Sequence, residues 1–302
     1  MFILKQSITD FISSNVTETV DEYSASYTYA LGEEARDGAY IYKSVIADNL
    51  GNKPEDTLDM LWVKIGVSNK YAMLDLRANT KSTKTGDNLV VEFAQNMSDT
   101  LALGNYSASS VLIEIFDEYD VEIWSYETPE TLNEGVVDWW TWTYNDYGYE
   151  YNKALMVPLG RTDGAKVRVT FNYSSVLGST ASCGYLISGI AQYMGETLYG
   201  VNFKFNSFAT KEFDAFGTLS VLKRGVQDIV DFNTVIQHTE KGLMTTKREI
   251  KEVYDDVIAF ILDTSETSQY ENMITLGTIQ DANVVLNNGT VYNIAWSVIE
   301  VI

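Results

Sequence analysis

Leu61-Trp62-Val63-Lys64-Ile65-Gly66-Val67-Ser68-Asn69-Lys70-Tyr71-Ala72-Met73-Leu74-Asp75 joins an aromatic-aliphatic run, a glycine-containing turn and a second apolar run. It reads as a junction between two β regions. Upstream, a Tyr- and Gly-rich module closes at Trp62. Downstream, a longer series of alternating strands begins near Met73.

Moving outward toward the N-terminus, Asp37-Gly38 before Tyr40-Ile41-Tyr42 predicts a hairpin, and Asn49-Leu50-Gly51-Asn52-Lys53-Pro54 predicts a loop. Ile3, Leu4, Ile8, Phe11 and Ile12 fall at roughly helical spacing, so residues 1–20 read as an arm or short helix. Such a segment is too short to fold alone and docks on its own body or on a neighbour.

Toward the C-terminus, residues 88–93, 110–116, 121–124 and 166–171 alternate as strands do, with Asp117-Glu118-Tyr119-Asp120 as a turn. Short strands at such intervals predict a β-sandwich. Residues 135–151 hold three Trp and four Tyr, a density that suits recognition of a glycan or a protein. Trp140, Tyr147 and Tyr149 are expected at least partly exposed, and Trp139 and Trp142 more buried. The period changes at Thr246: Ile250, Val253, Tyr254, Val257, Phe260 and Ile261 follow helical spacing, predicting one amphipathic helix. Residues 273–276, 282–286 and 291–299 then read as strands, the last two joined through Asn287-Asn288-Gly289-Thr290.

The expected class is therefore mainly β. An arm (1–20) precedes a small β module (21–66), a β-sandwich of jelly-roll or galactose-binding-like type (67–190), and a C-terminal α+β assembly unit (191–302) with one long helix near 248–263.

Composition narrows the chemistry. With 302 residues, 45% hydrophobic and 13% aromatic, the chain is long enough for two or three compact units. It has no 18-residue apolar run, so no membrane insertion is expected, and Met1 to Gln6 does not begin a secretory signal. Cys183 is the only cysteine and His238 the only histidine, which excludes an intrachain disulfide and a Cys/His zinc site. Cys183 reads as a buried inert thiol and His238 as structural or exposed. Oxygen ligands cluster at 117–120 and at Asn145-Asp146, where solvated turns are preferred over calcium loops. No glycine-rich phosphate loop precedes a helix, and neither metal nor cofactor is expected.

Acidic residues outnumber basic ones 42 to 21, a net charge of −21 that disfavours nucleic acid as a partner. From residue 85 to 152 there is no Lys or Arg, while fourteen Asp or Glu occur. The cations Lys223, Arg224, Lys247, Arg248 and Lys251 lie in the last third and are candidates for contacts between subunits. A solvated acidic face is the alternative reading of the same asymmetry.

The order aromatic, Gly, Gly-x-Tyr-x-Tyr, Gly-Asn-x-Pro, Trp across residues 21–66 resembles the small β modules that bind chitin and related polysaccharides. That resemblance implies Tyr40, Tyr42 and Trp62 as sugar-stacking rings. Against it, a module of this size needs aromatics for its own core, and the core role is favoured.

A wider resemblance covers about residues 21–230. The Trp62-to-Asp75 junction, Asp138-Trp139, Cys183-Gly184-Tyr185-Leu186-Ile187-Ser188-Gly189, Met194-Gly195-Glu196-Thr197-Leu198-Tyr199-Gly200 and Lys211-Glu212-Phe213-Asp214-Ala215-Phe216-Gly217 together look like tailed-bacteriophage tail or baseplate proteins. The resemblance implies a virion structural protein made in the host cytoplasm. Its partners would be other phage tail proteins, copies of itself and a host-surface glycan. A free glycan-binding module and a glycan hydrolase are the alternatives. With 42 acids available, no carboxylate pair such as one using Asp138 or Asp146 singles itself out, and a non-enzyme is expected.

Overall fold

Alternation of apolar and polar residues builds the sheet that carries the first large core. The strands Glu122–Glu127, Val111–Phe116, Lys166–Phe171, Leu89–Ala94 and Phe11–Ser14 lie side by side in that order, all antiparallel. Leu89, Val91, Phe93, Val111, Ile113, Ile115, Val167, Val169 and Phe171 are fully buried on one face. The outer face carries Glu92, Arg168 and Glu114 directly opposite one another across three strands. This is a computed structural model that describes residues 1–8, 10–128, 153–173, 180–213, 218–262, 273–287 and 289–301. Trp139, Trp140, Trp142, Tyr147 and Tyr149, with Asp138, Asn145 and Asp146, lie outside the described residues. The molecule is mainly β, with several antiparallel sheets and one α-helix among the described residues.

A three-stranded sheet of Lys153–Pro158, Thr100–Tyr106 and Tyr185–Gly189 sits between two other layers. Leu101, Leu103 and Leu186 face the core of the five-stranded sheet, whereas Ala102, Tyr185 and Ile187 face Leu4, Ala259 and Ile261 on the far side. Strands covered on both faces need no polar side, so these runs are mostly apolar and do not alternate. The layers approach closely at Gly189, where a Cβ would stand 2.2 Å from the Lys5 carbonyl oxygen.

That far side is an eight-stranded antiparallel sheet: Ala191–Tyr193, Phe2–Lys5, Ile258–Ile261, Ile274–Leu286, Val291–Glu300, Val226–Gln237, and then Glu196–Thr197 and Asn202–Ser207 together along the last edge. Two expectations are corrected here. Residues 1–20 are not an arm or short helix: Phe2–Lys5 is an interior strand, with Ile3 in one core and Leu4 in another. Adjacent apolar residues that imitated helical spacing are the two faces of a strand buried on both. The helix spans Leu243–Val253 rather than 248–263. Its inner face is Thr246, Ile250 and Val253, and beyond it Ile258–Ile261 is a strand with all four residues buried. A four-residue apolar run fits either period, so the helical pattern ran on into the strand.

The small module pairs Glu34–Asp37, Tyr40–Ser44 and Trp62–Val67, with Thr28–Tyr29 against Asn49–Leu50. Asp37 stands opposite Tyr40 and Gly38 has φ +61°, the tight hairpin that Asp-Gly predicted. At the junction, Trp62 belongs to the module core and Met73 to the core of the five-stranded sheet. Asn69 holds the two regions together, its side chain donating to the carbonyls of Thr17 and Thr83 and accepting the Thr83 N–H.

From the last edge of the eight-stranded sheet a β-arm projects. Among the described residues, Asn202–Ser207 pairs only with the first half of Val226–Gln237, and Thr210–Phe213 only with Leu219–Leu222. Every residue of Asn202–Ser207 is exposed.

Candidate functional site: the aromatic module and the basic surfaces

The module core is Tyr29, Ala35, Tyr42 and Trp62, all buried. Trp62 is fully enclosed, its indole N–H donating to the Asn52 carbonyl at 2.9 Å while Tyr23 and Tyr29 meet it edge-on. Neither face of Trp62 or Tyr42 is free for a sugar, which corrects the stacking role implied for those two rings. Physically, a core this small has few other large side chains with which to exclude water. Tyr40 is on the surface at 39% exposure, but the Lys64 ammonium covers its ring at 3.1 Å from the centroid.

The sequence reading passed over Tyr27. It is 51% exposed and stands at a groove of about 650 Å3 lined by Asp21, Glu22, Tyr29, Glu33 and Glu34 among others. The Tyr27 hydroxyl donates to Glu33 Oε1 at 2.7 Å, and the Ala30 N–H donates to Glu33 Oε2 at 2.8 Å. The backbone N–H and then the hydroxyl hold the Glu33 carboxyl below its ordinary range, and the same hydrogen bond raises the phenol of Tyr27. An exposed ring beside carboxylate acceptors can take the apolar face and the hydroxyls of a sugar. The readable signal was Ser24-Ala25-Ser26-Tyr27, an aromatic set among small turn residues.

Among the described residues, 85–128, the acidic run of the sequence is not an unbroken acidic face in space. Lys166 and Arg168, on the strand between Glu92 and Glu114, lie across it: Arg168 Nε is 2.7 Å from Glu92 Oε1, and Lys166 Nζ is 2.6 Å from Asp120. Ser13 donates a further bond to Glu92 at 2.8 Å. Burial alone would raise the Glu92 carboxyl, but these donors and charges outweigh it and hold it low. In the 117–120 turn the Asp117 carboxylate accepts the N–H groups of Tyr119 and Val121, and Lys166 pairs with Asp120. One oxygen of each of these two carboxylates thus has a donor.

The basic candidates are all on the surface. Lys247, Arg248 and Lys251 lie on the outer side of the helix, away from Thr246, Ile250 and Val253. Lys223 and Arg224 are exposed where the β-arm returns to the body. The two groups belong to different elements, the helix and the arm, and none of the five makes an ion pair with a described residue.

The lone cysteine is buried and the lone histidine is half-buried. Cys183 is buried and burial pushes its thiol up, so it is held as the unreactive form. The His238 ring rests on Tyr292 at 5.1 Å between centroids. No family model, curated protein or solved structure matches this chain.

Proposed function

We propose that this chain is a non-catalytic structural protein of a bacteriophage tail or baseplate, present as one copy in a repeated assembly and made in the host cytoplasm. The five- and three-stranded sheets are its β-sandwich of jelly-roll or galactose-binding-like type, and residues 21–66 its carbohydrate-binding-type module. The observation that carries the reading is the Asn202–Ser207 strand, exposed at all six residues although Phe203 and Phe205 alternate with polar neighbours. A surface patterned for a cover that no described residue supplies suits a subunit. The motif order shared with tail proteins supports the location. Lys223, Arg224, Lys247, Arg248 and Lys251 meet acidic surfaces of neighbouring subunits and set register.

Mass spectrometry of purified, salt-washed particles tests this, with gold-labelled antibody to place the protein. The expected result is the chain at the tail, and its absence from infectious particles overturns the reading.

An adhesive role toward a host-surface glycan is favoured by the Tyr27 groove, in which a half-exposed ring lies among Asp21, Glu22, Glu33 and Glu34. Tyr27→Ala is expected to abolish binding to host polysaccharide without unfolding the module. Unchanged binding in that variant, or a flat titration with the wild-type chain, removes the role.

A further inference from the structure

The β-arm lies at the edge of a face that begins as core. In Val226–Gln237, Val230, Phe232, Thr234 and Ile236 are buried on one face of the sheet. Val226 and Asp228 continue the same face outward, and directly paired residues share a face, so Phe203 opposite Val230 and Phe205 opposite Asp228 belong to it too. The stripe loses its cover as it leaves the body: Phe203 is 45% exposed, Val226 49% and Phe205 70%. Phe208, Val221 and Leu222 of the arm are exposed as well, and the outer edge of Asn202–Ser207 has no strand beside it among the described residues. Edge strands of soluble proteins are normally shortened, charged or covered; this one is six residues long and has two phenylalanines.

Charge identifies what covers it. Residues 202–228, the arm with the strand end that continues its face, hold Lys204, Lys211, Lys223 and Arg224 against Glu212, Asp214 and Asp228, a net of +1, which leaves −22 on the rest of a chain of net −21. Lys204 is paired with Asp231 on the neighbouring strand, but Lys211, Lys223 and Arg224 make no ion pair with a described residue. A basic, apolar arm on an acidic body is complementary to the body of another copy. A second arm carries the same net positive charge and offers no acidic surface to Lys211, Lys223 and Arg224.

We infer that the β-arm docks on the acidic body of a second copy of this chain in a heterologous, head-to-tail contact that repeats from copy to copy. This deepens the assembly reading given above and rests on it. The apolar stripe supplies affinity, while Lys211, Lys223 and Arg224 choose the acidic surface and speed encounter.

Sedimentation velocity on the purified full chain over a range of concentrations tests the inference. The wild-type chain is expected to form species beyond a dimer. Phe203→Ser with Phe205→Ser is expected to weaken association by at least about tenfold per ring while far-UV circular dichroism stays unchanged. The double variant keeps its receiving surface, so mixing it with wild type is expected to shorten the assemblies by ending chains. Should the serine variant fail to fold, Lys223→Glu with Arg224→Glu, both at exposed sites, carries the same test through reduced assembly. A wild-type chain that stays monomeric, one that stops at a symmetric dimer, or folded variants that assemble like wild type would each overturn the inference. The two readings fail separately: assembly in solution with absence from particles removes only the tail location, and presence in particles with a monomeric purified chain removes only the arm contact.

Discussion

The Thr100–Tyr106 strand is covered on both faces and the Asn202–Ser207 strand on neither, and only the first is what its sequence announces. Thr100-Leu101-Ala102-Leu103-Gly104-Asn105-Tyr106 shows no amphipathic alternation, because both sides meet apolar layers. Asn202-Phe203-Lys204-Phe205-Asn206-Ser207 alternates as a half-buried strand should, yet stands in solvent. A pattern in sequence reports the environment in which a segment works. Where pattern and burial disagree, as at Phe203 and Phe205, the proposed assembly supplies the cover that no described residue provides.

The contrast predicts very different costs for similar changes. Leu103→Ala, deep between layers, is expected to lower stability by about 2–5 kcal/mol, read by urea denaturation. A loss under about 1 kcal/mol would mean that the central sheet is looser than described. Gly189→Ala comes next, at about 1–3 kcal/mol, because its new Cβ meets the Lys5 carbonyl oxygen and pushes two layers apart. A neutral result would show that the layers do not approach so closely.

Acid dependence should be smaller and of two signs. The Glu92 carboxyl is held low, so its contribution is present above its unfolded pKa and is lost as pH falls through the folded value. Glu300 is raised by burial and then by Asp228, so its contribution is present below its unfolded pKa and is lost as pH rises through the folded one. Glu92→Gln is therefore expected to flatten the loss of stability toward acid, and Glu300→Gln to raise stability at neutral pH. Urea midpoints across the acid range check both, and an unchanged profile in either variant contradicts the stated role. The smallest effect is expected in the arm, where Phe205→Ser should change the stability of the isolated chain by no more than about 0.5 kcal/mol. A loss as large as that of Leu103→Ala would mean the ring is core.

The same contrast explains what could be read in advance. Strands with one wet face were legible: 89–94, 111–116 and 166–171 bury every second residue, and the Asp37-Gly38 hairpin formed as its residues require. Strands with no wet face were not. Phe2–Lys5 imitated a helix and Ile258–Ile261 lengthened one, because consecutive apolar residues fit both periods. In the candidate site, the choice of core for Tyr42 and Trp62 follows from module size, whereas Tyr27 depended on a groove formed by segments that only folding brings together. The acidic run from 85 to 152 misled because its partners, Lys166 and Arg168, arrive from a later strand.

The most direct test of the claim that the Asn202–Ser207 face is covered in the working state is hydrogen–deuterium exchange at several protein concentrations. The account predicts that amides of residues 202–207 become slower to exchange as concentration rises, that Phe203→Ser with Phe205→Ser abolishes this change, and that Thr100–Tyr106 stays protected throughout. Fast exchange in 202–207 that does not depend on concentration, in a chain whose Thr100–Tyr106 strand is protected, would contradict it.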